Sequence, residues 1–109
     1  MAGTIAEGES ACPVRRGLTL FEGKWRTRVL YELIEQGQAL RFGELARSIP
    51  GISKTMLTAT LKDLEALGLV ERTQYQEVPL RVEYSLTDSG RAAAPLFDAI
   101  GAWGKRYLA

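Results

Sequence analysis

Apolar side chains recur every three or four residues through the first two thirds of the chain, a spacing that is typical of amphipathic helices. The predicted helices cover about residues 13–22, 24–36, 41–48 and 54–67. A glycine or a Pro-Gly pair follows each of these four segments and is expected to end it. Ser53 stands where the fourth helix needs an N-cap. The buried stripe of this helix is expected to be Leu57, Leu61 and Leu64.

After Gly68 the hydrophobic period changes from about 3.6 residues to 2, which is typical of strands. The two predicted strands and the hairpin tip between them are residues 69–74, 81–86 and 75–80. Thr87 is expected to cap a last helix over residues 88–107, with a kink at Pro95. This order of elements predicts a mainly α-helical fold with a small β-hairpin wing, the winged helix-turn-helix.

The composition fits one domain with a hydrophobic core, since 46% of the 109 residues are hydrophobic. Residues 1–11 are rich in Gly, Ala and Glu and are expected to be a flexible tail before a domain of residues 12–109. No apolar run approaches the roughly 20 residues of a membrane-spanning helix. The start of the chain also lacks the basic residues of a signal peptide. We therefore expect a cytoplasmic protein.

The lack of histidine and of cysteine clusters argues against an enzyme and a metal site, although it does not by itself exclude chemistry by Asp, Glu, Lys or Tyr. The chain contains no histidine, which is the commonest general base and metal ligand, and Cys12 is its one cysteine. A single cysteine excludes an internal disulfide, and no Cys/His cluster is present that could bind zinc. There is also no nucleophile–base pair or phosphate-binding glycine loop. We expect neither an enzyme nor a bound metal or cofactor.

Short motifs follow one another in a fixed order along most of the chain. They are Cys12-Pro13-Val14, Gly23-Lys24-Trp25, Arg41-Phe42-Gly43-Glu44-Leu45, Ile49-Pro50-Gly51-Ile52-Ser53-Lys54, Met56-Leu57-Thr58, Gly68-Leu69-Val70-Glu71-Arg72, and Val78 to Thr87 followed by Gly90. This series spans about residues 12–104 and resembles the HxlR family of bacterial regulators, which are relatives of the MarR family. Single pieces such as Leu-Thr-x-x-Gly occur in many winged helices, whereas the full series is specific.

The resemblance implies a homodimeric winged-helix regulator that binds duplex DNA. In such proteins the fourth helix enters the major groove, and the wing, here about residues 75–82, touches the flanking backbone or the minor groove. The first and last helices build the dimer, so the operator is expected to be an inverted repeat. Some members of the family sense electrophiles or oxidants through a cysteine near the N-terminus.

Short polar side chains and two lysines form a candidate DNA-reading face on the fourth helix. These candidates are Ser53, Lys54, Thr55, Thr58 and Lys62. The threonines suit base edges, and the lysines suit phosphates or base edges. Arg81, beside the hairpin tip, is a candidate for the minor groove, and Arg41 is a candidate for a phosphate. The alternatives are an ordinary solvated helix face, an ion pair of Arg81 with Glu77 or Glu83, and a solvated Arg41.

A small basic cluster departs from the family pattern. Arg26-Thr27-Arg28 stand in the second helix where apolar residues or threonines are common in the family, so that Lys24, Arg26 and Arg28 form a basic cluster. The cluster has no intervening acidic residue. Whether it contributes a phosphate contact is left open by the sequence.

The candidate dimer surface combines apolar residues of the first and last helices. They are Val14, Leu18, Phe21, Leu96, Ile100, Trp103 and Tyr107. A final helix this apolar cannot bury its whole stripe on a small domain, so a partner helix is expected to cover it. Trp25, Phe42 and Tyr84 are instead expected in the core rather than in a ligand pocket. A small-molecule effector is left open.

Cys12 is a candidate redox or electrophile sensor. It precedes the first helix, where the helix dipole and the charges of Arg15 and Arg16 favour a thiolate. The alternative is a partly buried thiol without a function.

A rival function is suggested by the net charge. The chain has 14 Lys+Arg against 13 Asp+Glu, for a formal charge of +1, and many DNA-binding domains are more basic. A winged helix that binds only other proteins would account for this charge. If the chain binds DNA, its positive surface must come from the placement of the charges.

Overall fold

The structure, a computed structural model, describes residues 12–108. The tail predicted over residues 1–11 lies outside the described residues. The helices in the described part are α1 Pro13–Leu18, α2 Arg26–Gln36, α3 Phe42–Ser48, α4 Lys54–Ala66, α5 Asp88–Ala92 and α6 Ala94–Tyr107, with a 3₁₀ turn η1 at Thr19–Phe21. The strands are β1 Leu40–Arg41, β2 Val70–Tyr75 and β3 Arg81–Leu86. The predicted fold, helices with a hairpin wing, is confirmed.

The core lies between α2, α3 and α4, and most of it is leucine. Its fully buried side chains are Val29, Leu30, Leu33, Leu45, Ile49, Leu57, Leu61 and Leu64. The predicted stripe of α4 is therefore confirmed. The aromatic residues Trp25, Phe42 and Tyr84 are partly buried and pack against this cluster, as expected of core residues. Burying one leucine side chain contributes about 2 kcal/mol, so these contacts dominate the orientation of the helices.

Side-chain caps fix where α4 and α5 begin. The Met56 N–H donates to Ser53 Oγ at 3.0 Å, and the Gly90 N–H donates to Thr87 Oγ1 at 3.1 Å. Both predicted N-caps are confirmed, and each satisfies a backbone donor that the first turn leaves free. The Thr87 hydroxyl also donates to the Gly68 carbonyl at 2.6 Å, which ties the start of α5 to the turn after α4.

The wing is a three-stranded antiparallel sheet with the order β1-β3-β2. The long pair β2–β3 has Arg72 opposite Tyr84 and Tyr75 opposite Arg81, as in a hairpin. Strand β1 was not predicted, because two residues are too short to show a period of 2. It places Arg41 opposite Glu83, so the start of α3 is hydrogen-bonded to the base of the wing.

Three predicted helix ends are wrong. The last helix is not one kinked helix, because α5 ends at Ala92 and Pro95 lies in the first turn of α6. Proline costs nothing in a first turn, where its missing N–H has no helical partner. The first helix ends at Leu18 and continues as η1, and α2 begins at Arg26 rather than at residue 24. Gly23, which lies between η1 and α2, has a φ of 74°, a left-handed conformation that does not continue a helix.

In the described residues, no helix is long and apolar enough to cross a membrane.

The buried Gly90 supplies the first testable prediction. A Cβ at this position would lie 2.1 Å from the Leu69 carbonyl oxygen, an atom that already accepts from the Thr87 N–H at 3.1 Å. Because backbone atoms cannot move aside cheaply, Gly90→Ala should lower the free energy of unfolding by about 2 kcal/mol or more. Urea unfolding measures this change. Gly43→Ala is the control, since its Cβ meets only the flexible end of Arg47 at 3.4 Å. Equal stability of the two variants would contradict the packing at Gly90.

Candidate nucleic-acid interface

The exposed face of α4 carries the side chains that the sequence assigns to DNA reading. Lys54, Thr58 and Lys62 are spaced by four residues and so lie on one side of the helix, and Thr55 adjoins them. All four are exposed, as is Ser53 at the N-cap, while the leucine stripe of the same helix faces the core. We use the term reading face for Ser53, Lys54, Thr55, Thr58 and Lys62.

The hydrogen bonds within the reading face decide which groups are free for a partner. The Thr58 hydroxyl donates to the Lys54 carbonyl at 2.9 Å, and Ser53 Oγ accepts from the backbone as the cap. Thr58 therefore presents its methyl group and an acceptor oxygen rather than a free donor. Within the described residues, neither Lys54 nor Lys62 has a carboxylate partner. The face combines small side chains with two unneutralised ammonium groups.

The Trp25 ring lies next to the turn between α3 and α4. Gly51 has a φ of 87°, and a Cβ there would lie 3.9 Å from the Trp25 ring. Lys24 lies with its Nζ 4.9 Å from the centre of the same ring. Lys24 also borders a cleft of about 330 Å³ that Met56 and Thr60 of α4 line from the other side. Of the small basic cluster, Lys24 is thus beside the helix-turn-helix.

The other two members of the basic cluster are neutralised by acidic residues. Arg26 pairs with Glu22 at 3.6 Å and with Asp63 of α4 at 3.5 Å. Arg28 pairs with Glu32 at 2.9 Å along α2. The pKa of Glu32 is lowered, first by a hydrogen bond from the Gln36 amide and then by Arg28, against the opposing effect of burial. No acidic residue stands between the members of the cluster in the sequence, but the fold brings Glu22, Asp63 and Glu32 to the two arginines.

Arg81 is held inside the wing. Its guanidinium donates to Glu77 at 2.7 Å and to Glu83 at 3.0 Å, and it stacks on the Tyr75 ring at 3.8 Å from the centre. The ion pairs that the sequence offered as the alternative are therefore both present. Burial would lower the pKa of Arg81, but the carboxylates, with Glu77 foremost, raise it above its ordinary value. The charge is balanced within the wing, whose tip exposes Val78 and Leu80.

Arg41 and two arginines that the sequence did not single out are also exposed. Arg41 is the N-cap of α3 and its backbone N–H donates to Glu44 at 2.7 Å, while its side chain is exposed. Arg47 on α3 and Arg72 on β2 are also exposed. None of the three forms an ion pair within the described residues. Nothing in the local sequence separates them from ordinary solvated arginines.

A second surface, apolar and apart from α4, is formed by α1, η1 and α6. All seven residues that the sequence assigns to a dimer are exposed, with Trp103 at 56% and Val14 at 69%. Helix α6 contains no buried residue. Its link to the rest of the chain includes Phe97, whose ring centre lies 5.4 Å from that of Tyr31 and 6.5 Å from that of Phe21. An apolar helix of 14 residues is thus left with its outer side uncovered.

Cys12 is a free thiol of intermediate exposure at the N-cap of α1. Its carbonyl accepts from the Arg16 N–H at 3.0 Å, and both Arg15 and Arg16 are exposed. Access to the thiol, on which the sequence is silent, is therefore partial.

An apolar cleft of about 280 Å³ lies between the end of α2 and the start of α6. Leu33, Ile34, Leu86 and Ala94 line it, and Arg91 stands at its edge. The Arg91 guanidinium is already engaged by Asp88 and by the Leu86 carbonyl at 3.0 Å. A small apolar molecule would fit this volume, but the cleft offers it no free charged group.

Three comparisons relate this chain to known proteins. A family described as HxlR-like helix-turn-helix matches residues 20–109. An HTH-type transcriptional regulator from Methanothermobacter thermautotrophicus is 45% identical over 103 residues, which cover 94% of this chain and 77% of that protein. The relatives come from archaea as well as bacteria, so the regulator class is wider than the bacterial one expected.

Solved structures match the fold closely. A protein from Porphyromonas gingivalis W83, described as a MarR-family transcriptional regulator, superposes with a TM-score of 0.79 at 44% identity, over 90% of this chain and 94% of that one. The redox regulator HypR in its oxidised form gives a TM-score of 0.76 at 40% identity, over 90% and 99% of the two chains. With its winged helix-turn-helix and a family match over residues 20–109, this chain belongs to the HxlR family of DNA-binding transcriptional regulators.

Proposed function

We propose that the protein is a homodimer that reads an inverted repeat in duplex DNA, with α4 in the major groove and the wing beside it. The observation that carries the proposal is the reading face, which is exposed, built of small polar side chains and edged by two unpaired lysines. The major groove of B-DNA is wide enough to admit an α-helix, and serine and threonine side chains can hydrogen-bond base edges there. The family's helix-turn-helix fold supports this use of α4.

Each residue of the reading face has an assigned role. Thr55 and Thr58 contact base edges, where a threonine methyl can pack on a thymine methyl and its oxygen can accept from a base. Ser53 lies at the helix start, close enough to join them. Lys54, Lys62 and Arg41 contact phosphates or, for the lysines, base edges. Phosphate contacts set the register of the helix and base contacts set its specificity.

The near-neutral charge does not favour the rival function of a protein-only module. Four arginines, Arg26, Arg28, Arg81 and Arg91, are paired with carboxylates. The cations on and beside α4 are among those without such partners in the described part of the chain. Ion pairing within the fold thus leaves cations available for phosphate binding at the reading face, although the net charge is near zero.

Dimerisation through α1, η1 and α6 follows from the uncovered apolar surface. Monomeric proteins rarely leave contiguous large apolar patches in water. A second copy related by a two-fold axis would cover the surface with the same residues and would hold two α4 helices about 34 Å apart, one turn of DNA. The operator would then be an inverted repeat.

A signal at Cys12 stays a prediction. The similar HypR is described as a redox regulator. In this chain, Cys12 precedes α1, within the surface assigned to the dimer, so an adduct there would alter the spacing of the two α4 helices.

The DNA assignment predicts how salt changes the affinity of two variants. Lys62→Ala should weaken binding and lower the slope of log affinity against log salt by about two, because the homodimer loses one phosphate contact in each subunit. Arg81→Ala should do the same if Arg81 leaves its carboxylates for DNA, and should weaken binding at an unchanged slope if it only organises the wing. A gel-shift series at several salt concentrations separates these results. Equal affinity of the wild type and the double variant throughout would contradict the assignment.

The dimer assignment predicts that Trp103→Glu gives monomers. A carboxylate in the centre of an apolar interface is desolvated without a partner, which opposes association. Light scattering at micromolar concentration should report half the wild-type mass, and tight DNA binding should be lost with it. Lys105→Glu, an exposed position on the side of α6 opposite the apolar stripe, is the control and should stay dimeric. A wild-type monomer under these conditions would refute the interface.

A further inference from the structure

Arg26 connects two parts of the fold that are far apart in sequence. It donates from Nη1 to the Thr19 carbonyl at 2.8 Å, and its Nη2 lies 3.5 Å from Asp63 Oδ2 of α4. Its Nη1 also lies 3.6 Å from the Glu22 carboxylate. The Arg26 side chain is 23% exposed, so these contacts are partly shielded from water. A planar guanidinium can hold several acceptors at once, which a lysine ammonium does less well.

The two ends of this connection belong to different functional surfaces. The Thr19 carbonyl is part of η1, and Phe21 of η1 packs near Phe97 of α6. The other end, Asp63, follows Lys62 of the reading face directly. Arg26 therefore joins the helix proposed to read DNA to the segment that packs on the C-terminal helix.

The contact between Arg26 and Asp63 restrains the rotation of α4 because of where Asp63 lies on the helix. Successive helical residues are separated by about 100°, so Asp63 lies on the flank between the exposed Lys62 and the buried Leu64. On this flank α4 is separated from the loop before α2 by the cleft that Gly23, Trp25, Met56 and Thr60 line. The contact between Arg26 and Asp63 spans that cleft and opposes rolling of α4 about its own axis.

We propose that Arg26 is a positioning residue for specific DNA binding, which through Asp63 adjusts the angle at which α4 presents its reading face. The inference rests on the proposed function of α4. Arg26 does not itself contact DNA in this account, because Glu22 and Asp63 already balance its charge.

Direct electrostatics and positioning predict opposite effects for Asp63→Asn. Removing a carboxylate beside the DNA surface reduces repulsion with phosphates and strengthens binding to every duplex equally. Loosening α4 instead weakens binding to the correct sequence relative to others, since base contacts depend on the helix angle and phosphate attraction does not. The ratio of specific to non-specific affinity separates the two.

The experiment uses the full chain and two duplexes. One is the best-binding duplex recovered from a random-sequence pool, and the other is a shuffled duplex of the same composition. The variants are Arg26→Gln, Asp63→Asn, their combination, and Arg28→Gln as the matched control, because Arg28 pairs only along its own helix. Lys62→Ala is included to test the proposed function independently. Urea unfolding confirms that each variant is folded. The Asp63 side chain is 52% exposed and that of Arg26 is 23% exposed, so Asp63→Asn is expected to disturb the packing less than Arg26→Gln does.

Arg26→Gln and Asp63→Asn should each lower the ratio of specific to non-specific affinity roughly three- to tenfold. The combination should lower this ratio no further, because each single variant already removes the contact between Arg26 and Asp63. Their salt slopes and the ratio for Arg28→Gln should equal those of the wild type. Ratios equal to that of the Arg28 control would overturn the proposal, as would a slope lowered by about two in Arg26→Gln, which would mark one phosphate contact in each subunit. If Lys62→Ala also binds as the wild type does, the proposed function fails and the inference fails with it.

Discussion

The burial of one leucine stripe on α4 is the constraint on which the rest of this molecule depends. Leu57, Leu61 and Leu64 are at most 1% exposed, and each contributes about 2 kcal/mol by leaving water. Because a helix has only one opposite side, their burial turns Thr58 and its neighbours outward. An exposed ion pair contributes about 1 kcal/mol or less, so it can adjust this orientation but cannot create it.

Ion pairing shapes the remaining electrostatics of a chain that is almost neutral. The carboxylates that pair with Arg26 come from a neighbouring loop and from α4, that of Arg28 comes from the same helix, and those of Arg81 come from the wing itself. A formal charge of +1 then coexists with unpaired cations around α4. The apolar surface belongs to α1, η1 and α6, so the face proposed for DNA and the face proposed for a second copy consist of different residues.

The sequence predicted the elements well where one local pattern determined them. The leucine period, the caps at Ser53 and Thr87 and the strand at residues 81–86 are all present as expected. The prediction missed β1, which is too short to have a period. It was also wrong at Pro95, because a proline in the first turn of a helix and a proline at a kink look the same in the local sequence. The contacts of Arg26 were also out of reach, since Asp63 lies 37 residues away and only the packed core brings the two together. For Arg81 the sequence allowed either an ion pair or a DNA contact, because Glu77, Glu83 and DNA would use the same guanidinium.

The claim that α4 reads DNA through its exposed face is tested most directly by nuclear magnetic resonance of the ¹⁵N-labelled protein. Adding a duplex selected from a random-sequence pool should shift the backbone amide signals most strongly between Ser53 and Lys62, with further shifts in the wing. The amides of α6, which face away from DNA in the proposed dimer, should change little. Shifts confined to α1 and α6, with α4 unchanged at saturating duplex, would contradict the account.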